Sequence, residues 1–146
     1  MKPLLIIIGG IIMKVLYPAC FYEDEENEGY TVTFPDLLGC ITHGDTLQEA
    51  IEMAEDAALG WLLDCLENGE ELPIPSKIEE IKLENNKGFV NLLLLDLGAY
   101  SEKYSSNRYI KKTLTLPYWL NEMAERKGIN FSKTLQDALL KKAYKK

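Results

Sequence analysis

Residues that commonly carry nucleophilic, acid–base or metal chemistry are scarce in this sequence. The 146 residues include one histidine, His43, and three cysteines that lie far apart and form no C-x-x-C pair. Cys20, Cys40 and Cys65 therefore indicate neither a disulfide framework nor a zinc site, and they fit small apolar side chains in a reducing cytosol. A Gly-rich phosphate loop is also missing, because Gly9 and its neighbour are not followed by Lys-Ser/Thr.

A hydrophobic run long enough to span a bilayer is also lacking. Leu4–Ile12 is apolar but shorter than the roughly 20 residues that a membrane helix needs. No small-residue cleavage site follows, and Met13 begins a segment that resembles a protein start. We interpret residues 1–12 as an N-terminal extension, with an export signal or an added edge strand as alternatives. We expect a cytoplasmic protein without a membrane partner.

Positive charge is scarce in the first two thirds of the chain and abundant in the rest. Residues 13–100 contain 4 Lys/Arg and 19 Asp/Glu, whereas residues 101–146 contain 11 Lys/Arg and 4 Asp/Glu. An acidic body with a basic tail indicates two partners of opposite charge: a basic protein for the body and phosphates for the tail. The alternative is a solvated acidic surface and a Lys-rich end without a partner.

The body begins with a pattern typical of short antiparallel strands. Val15–Tyr22 is rich in β-branched and aromatic residues, and Pro18 predicts an edge position or a bulge because it lacks an amide donor. The acidic turn Glu23–Gly29 joins it to Tyr30–Phe34, which alternates with period two, so the two form a hairpin. Cys40–Thr42 can resume a short strand.

A long amphipathic helix follows the hairpin. Thr46 and Glu49 form the capping-box pattern at its start, one apolar stripe runs over five turns, and Gly69 ends it. Ile78–Leu83 is a candidate strand, and the apolar run Phe89–Leu97 predicts a buried central strand. Residues 13–97 therefore predict an α+β domain, a small antiparallel sheet with one long helix, whose other sheet face is free for a partner.

The tail has the order strand, helix, helix after a polar linker at residues 98–109. Lys111–Leu116 alternates with period two, Pro117 starts an amphipathic helix, and Gly128 closes it. Ser132 can cap the second helix. These features predict a ribbon-helix-helix (β-α-α) domain at residues 110–146.

Such a tail is too small to bury a core by itself and needs a second copy. Two paired strands form a ribbon that fits the DNA major groove, and the opening of the second helix can hold a phosphate. We therefore predict a homodimer through the tail, with a tetramer left open. The alternative is a Lys-rich helical hairpin that only dimerises. The predicted DNA-binding residues are Lys111, Thr113, Thr115, Asn130, Ser132 and Lys133.

Three segments give the chain a resemblance to the HicB family. They are MKVLY at Met13–Tyr17, YTVTFPDLLGCITHGDTLQEA at Tyr30–Ala50, and GINFSKTLQDAL at Gly128–Leu139. The resemblance covers residues 13–144, and residues 1–12 depart from it. It implies a partial RNase-H-like N-terminal domain without catalysis, and a partner toxin of HicA type that is a small basic ribonuclease. It also implies autoregulation of the operon through a helix-turn-helix or ribbon-helix-helix tail, and the tail here looks like the second.

The acidic loop of the body is the predicted toxin-binding surface, although such loops are often merely solvated. It would steer association with a basic toxin. A ligand-responsive repressor without a toxin partner is the alternative function. The predicted toxin-binding residues are Glu23, Asp24, Glu25, Glu26, Glu28 and Asp36.

A nuclease interpretation is weak despite the implied outline. Two-metal nucleases need several converging carboxylates, and the conceivable set is Asp36, Asp45, Glu49 and Asp96. The helix start and the turn after Pro35 explain most of these better. His43 fits a surface turn, and Trp61 lies on the apolar helix stripe and fits the core. We predict no enzymatic activity, no cofactor and no metal.

Overall fold

The computed structural model describes residues 5–8, 12–104 and 109–143. Within these residues, five strands and four helices follow one another, with a short 3₁₀ turn before the fifth strand. They are β1 (Leu5–Ile8), β2 (Ile12–Glu23), β3 (Tyr30–Thr33), β4 (Ile41–Gly44), α1 (Leu47–Glu67), the 3₁₀ turn Ile78–Glu80, β5 (Gly88–Asp96), α2 (Leu97–Tyr104), α3 (Tyr118–Arg126) and α4 (Phe131–Ala143).

All pairs among the described strands are antiparallel, and β2 has partners on both flanks. It pairs with β5 from Lys14 to Tyr22, while its other flank pairs with β1 and, further along, with β3; β4 then pairs with β3. β1 lies beside β2 with Leu5 opposite Val15. Part of the N-terminal extension is therefore an added edge strand, which is one of the two alternatives given for residues 1–12.

Pro18 lies in the interior of the sheet, so the predicted edge position of its strand is wrong. On one flank Pro18 is opposite Leu92 of β5. On the other flank, the segment paired with β1 ends at Val15 and the segment paired with β3 starts at Cys20. Among the described strands, this flank of β2 is therefore unpaired at Pro18, between the segment paired with β1 and the segment paired with β3. A residue without an amide donor is tolerated there, because no neighbouring strand needs its hydrogen bond.

The predicted capping box starts α1, with one difference in its second bond. Thr46 Oγ1 accepts the amide of Glu49 at 3.1 Å, while Glu49 Oε2 accepts the amide of Asp45 at 2.9 Å rather than that of Thr46. Gly69, at φ +74°, ends the helix in a Schellman motif in which Glu70 N donates to Cys65 O.

The core lies between α1 and one face of the sheet. Most of the helix residues that face it are small, so the helix packs close to the sheet. Gly44 is needed where β4 meets the first turn of α1, because a Cβ there would lie 2.2 Å from Ala50 N. The buried helix residues are Ala50, Ala54, Ala58, Leu62 and Cys65. They pack with Val15, Tyr17, Phe21, Val32, Leu93 and Leu95 of the sheet.

The segment between α1 and β5 holds no strand within the described residues, so the strand predicted at Ile78–Leu83 is wrong. Its backbone is held by polar anchors instead of a ladder. Asp36 accepts the amide and the hydroxyl of Ser76 at 2.9 and 2.6 Å, and Tyr22 Oη accepts the amide of Glu84 at 3.1 Å.

β5 was predicted as a buried central strand and is observed at an edge of the sheet. Among the described strands it pairs with β2 alone. Leu93 and Leu95 are buried, whereas Leu92 and Leu94 on the opposite face are 40% and 50% exposed. The apolar run therefore covers the core with one set of side chains and leaves the other set uncovered.

Helix α2 occupies most of the predicted linker at residues 98–109, so that part of the prediction is wrong. Asp96 Oδ1 accepts the amide of Ala99 at 2.9 Å, which caps the helix. Leu97 is almost fully buried, and Tyr100 packs on Tyr104 with ring centroids 4.4 Å apart. Residues 105–108 lie outside the described residues.

The tail contains the two predicted helices, while residues 110–116 form no strand in this single chain. Gly128, at φ +65°, closes α3 with a second Schellman motif, as predicted. The predicted cap Ser132 is wrong: Asn130 Oδ1 accepts the amide of Lys133 at 3.0 Å, and Ser132 lies inside the first turn of α4. Within the described residues, no helix is both long and apolar enough to cross a membrane.

Candidate functional sites

The acidic loop between β2 and β3 is partly organised by its own carboxylates. Asp24 Oδ1 accepts the amides of Glu26 and Asn27 at 3.0 and 3.2 Å, and these bonds hold the pKa of Asp24 below its usual value. Glu25 forms an ion pair with Lys87, which lowers the pKa of this carboxyl. The remaining predicted loop residues, Glu23, Glu26 and Glu28, are exposed. The loop therefore presents a concentrated negative charge on an ordered turn.

Asp36 is separate from this loop in its role. Both of its carboxylate oxygens are engaged by Ser76, so the side chain ties the turn after β3 to the segment that follows α1. Its predicted contact with a toxin stays a prediction, and its observed contact is structural.

Three of the four carboxylates of the nuclease alternative have local structural roles. Glu49 accepts the amide of Asp45, Asp96 caps α2 and Asp36 holds Ser76. Among the described residues, no group of three or more His, Cys, Asp or Glu side chains could hold a metal ion. His43 lies exposed in β4 rather than in a turn, with Nε2 4.0 Å from Asp24 Oδ2 and Nδ1 3.9 Å from Asp45 Oδ1.

The three cysteines are buried and unpaired. Burial raises the pKa of each thiol, at Cys20, Cys40 and Cys65 alike. A raised pKa keeps a thiol protonated and weakly nucleophilic, so the cysteines act as small core side chains, as the sequence predicts. Trp61 also packs against the core, and its Nε1 donates to Leu38 O at 3.1 Å.

A second acidic surface, which the sequence analysis missed, lies where α2 packs on α1. Gly60 leaves room for Tyr100, since a Cβ there would lie 3.1 Å from Tyr100 Oη. Burial raises the pKa of Tyr100, and the nearby carboxylates of Asp56 and Asp64 add to this effect. Acidic residues at positions 52, 56 and 64 of one helix were a visible signal, but their significance depends on α2, which the sequence did not predict.

The predicted DNA-binding residues all lie on exposed positions of the tail. Lys111, Thr113 and Thr115 belong to the irregular segment before α3. The first turn of α4 brings Asn130, Ser132 and Lys133 together. Because the amide of Lys133 already donates to Asn130, the predicted phosphate site there has one amide fewer than expected.

Large apolar side chains of the tail are exposed in the single chain. Trp119 is 63% exposed and Leu114 is 61% exposed, although neither residue type is usually left in water. This exposure is the pattern expected of a surface that a further chain covers. The other exposed members are Ile110, Leu116, Leu120, Met123, Ile129, Phe131 and Leu139.

Comparisons with known proteins agree on one family. Residues 17–138 match the family model described as HicB-like antitoxin of bacterial toxin–antitoxin systems. The chain is 30% identical to antitoxin HicB 1 of Photorhabdus laumondii over 117 residues, which are 80% of the chain and 68% of that protein. It is 40% identical to antitoxin HicB of Escherichia coli K12 over 112 residues, 77% of the chain and 72% of that protein.

A shorter match joins the chain to a phage protein from Haemophilus phage HP1. It is an uncharacterised 14.9 kDa protein of the rep-hol intergenic region, 42% identical over 66 residues, or 45% of the chain. The chain spans about half of that protein's length, 48%.

Among solved structures, a toxin–antitoxin complex from Streptococcus pneumoniae contains a similar chain. The TM-score is 0.58 at 34% identity, and the match covers 89% of this chain and 99% of that one. Together with the acidic body and the apolar tail, these matches define the class as bacterial antitoxins. The chain belongs to the HicB-like antitoxin family of toxin–antitoxin systems.

Proposed function

We propose that the chain neutralises a HicA-type toxin ribonuclease with its N-terminal domain and represses its own operon by binding operator DNA with its tail. The observation that best supports this proposal is that one antitoxin-family chain has two separate surfaces of opposite charge. Residues 13–100 carry 19 acidic residues against 4 basic ones, while the tail carries exposed apolar side chains and an excess of Lys and Arg. On this proposal the chain acts by occlusion and has no catalysis of its own.

The toxin side of the proposal is supported by charge and by the similarity to antitoxins. A basic RNA-cleaving protein must bind a polyanion, and an acidic surface can occupy the same face. The exposed loop carboxylates Glu23, Glu26 and Glu28 lie on an ordered turn and would act over a distance on the approach of the toxin. Asp24 and Glu25 shape that turn through their own contacts.

The DNA side is supported by the chemistry of the tail. An alternating segment with Lys111, Thr113 and Thr115 can read base edges once it pairs with a second copy, since two antiparallel strands fit the major groove. The absence of a strand at residues 110–116 in the single chain agrees with this requirement, because a strand needs a ladder partner. The N-terminus of α4 would then approach a phosphate.

The test is to express the full chain together with the small protein encoded next to it and to purify any complex. We expect a stable complex, inhibition of the partner's RNA cleavage, and weaker binding as salt rises. Neutralising Glu23, Asp24, Glu25, Glu26 and Glu28 together should lower the association rate. A chain that neither binds the neighbouring protein nor inhibits its cleavage of RNA would contradict the toxin side.

A further inference from the structure

A groove of about 380 Å³ lies beside the C-terminal end of β5, between α1 and α2. We call it the α1–α2 groove. Leu59 and Leu94 contribute apolar surface to it, and Glu52, Glu55 and Asp56 contribute carboxylates from successive turns of α1. The groove is therefore both apolar and strongly acidic, and it lies away from the loop that joins β2 and β3.

The groove continues onto the uncovered face of β5. Leu94 lines the groove and is 50% exposed, and Leu92 beside it on the same face is 40% exposed. β5 has nine residues and pairs with β2 alone among the described strands. A long apolar edge strand without Lys or Pro invites association with another chain. Such a surface is expected to be covered when the protein is in its working assembly.

The charges of the groove indicate which kind of chain covers it. Glu52 and Asp56 are four residues apart on α1, where like charges destabilise a helix. The one cation that lines the groove within the described chain is Lys103, and its Nζ lies over the ring of Tyr104, 5.0 Å from the centroid. Basic side chains of another chain can therefore pair with Glu52, Glu55 and Asp56.

We propose that the α1–α2 groove and the adjoining face of β5 seat a basic, partly apolar segment of the partner toxin. This inference rests on the proposed toxin-binding function and names the surface that makes the contact. Arginine or lysine side chains of the toxin pair with Glu52, Glu55 and Asp56 and stack on Tyr100 or Tyr104, while apolar side chains cover Leu94. A second copy is a poor occupant, because its groove would present the same carboxylates.

The two acidic surfaces then have different kinetic roles. The exposed loop acts on the approach of the toxin and so on the association rate, whereas charges in direct contact act mainly on the dissociation rate. Changes of charge at the two surfaces should therefore be distinguishable by kinetics, even though both lie in the same domain.

The experiment measures binding of the full-length chain to the toxin encoded beside it, by surface plasmon resonance at low and moderate salt. The groove variant is E52Q/E55Q/D56N, which keeps an amide oxygen at position 52 to accept the bond that Glu52 accepts from Gln48. The matched control is E71Q/E79Q/E80Q, which removes the same number of carboxylates at exposed positions elsewhere in the domain. We expect the groove variant to raise the dissociation rate about tenfold or more and the control to leave it within about twofold.

Two further measurements keep the result interpretable. The groove variant should melt no lower than the wild type, since it relieves repulsion along α1. Tyr104→Ala, at an exposed position near the end of α2, should raise the dissociation rate without changing charge. If the wild type binds the toxin and these variants dissociate from it at the wild-type rate, the α1–α2 groove is not the toxin-binding surface. If the wild type binds no toxin, the proposed function itself fails.

Discussion

Trp119 is the side chain whose removal should most weaken self-association of the tail. It lies in α3 and is 63% exposed in the single chain. A tryptophan buries about 150–250 Å² when fully covered, so the exposed part corresponds to roughly 95–160 Å² that a second copy can cover. At ~25 cal/mol per Å² this contributes about 2.4–4 kcal/mol per protomer, as an upper estimate.

Because a symmetric dimer contains the residue twice, Trp119→Ala removes up to about 4.8–8 kcal/mol of this contribution, and it should raise the dimer dissociation constant by about a thousandfold or more. Sedimentation velocity over a range of concentrations measures it. Tyr118→Ala is the matched aromatic control, since Tyr118 is 80% exposed and shares its helix face with Glu122 and Glu125 rather than with Trp119. It should change the constant little. A chain ending near Ser106 should lose the tail dimer altogether. If Trp119→Ala and the wild type dimerise equally, the tail is not assembled through this face.

Two smaller predictions concern the body. Thr46→Ala should lower the free energy of unfolding by about 1 kcal/mol, because Thr46 Oγ1 caps α1 through the amide of Glu49, and Thr46→Ser should retain most of the stability in urea unfolding. Asp24→Asn should remove a pH-dependent part of the free energy of unfolding. The pKa of Asp24 in the folded protein lies below its unfolded value of ~3.9. Its contribution to stability is therefore present above that pH and is lost as the pH falls through the folded pKa. Unfolding midpoints measured from neutral to acidic pH should therefore converge for the two proteins at low pH, and parallel curves would contradict the assignment.

The elements with local signals could be predicted from the sequence. The start of α1 follows from Thr46 and Glu49, and the ends of α1 and α3 follow from Gly69 and Gly128, because a cap depends on residues within one turn. Even here neighbouring candidates compete. Ser132 and Asn130 are both favourable N-cap residues, and in the structure Asn130 is the one that accepts the hydrogen bond from the amide of Lys133.

The elements that depend on distant residues could not be predicted. Helix α2 is polar and begins next to a glycine, and its position depends on Gly60 admitting Tyr100. The apolar run of β5 gave no sign that one face is uncovered, since period two is invisible where four consecutive residues, Leu92–Leu95, are all leucine. The second acidic surface was missed for the same reason, because α2 forms one of its walls.

Operator binding measured against salt, beside a toxin-inhibition assay, tests the central claim that one chain serves two partners with two separate surfaces. Thr113→Ala and Thr115→Ala should each weaken operator binding by about 1–3 kcal/mol and affect random DNA little. Lys133→Ala should weaken binding to all sequences and lower the salt slope by about one. All three variants should inhibit the toxin like the wild type. If both threonine variants bind the operator as the wild type does, the tail does not read DNA and serves only to join the two copies.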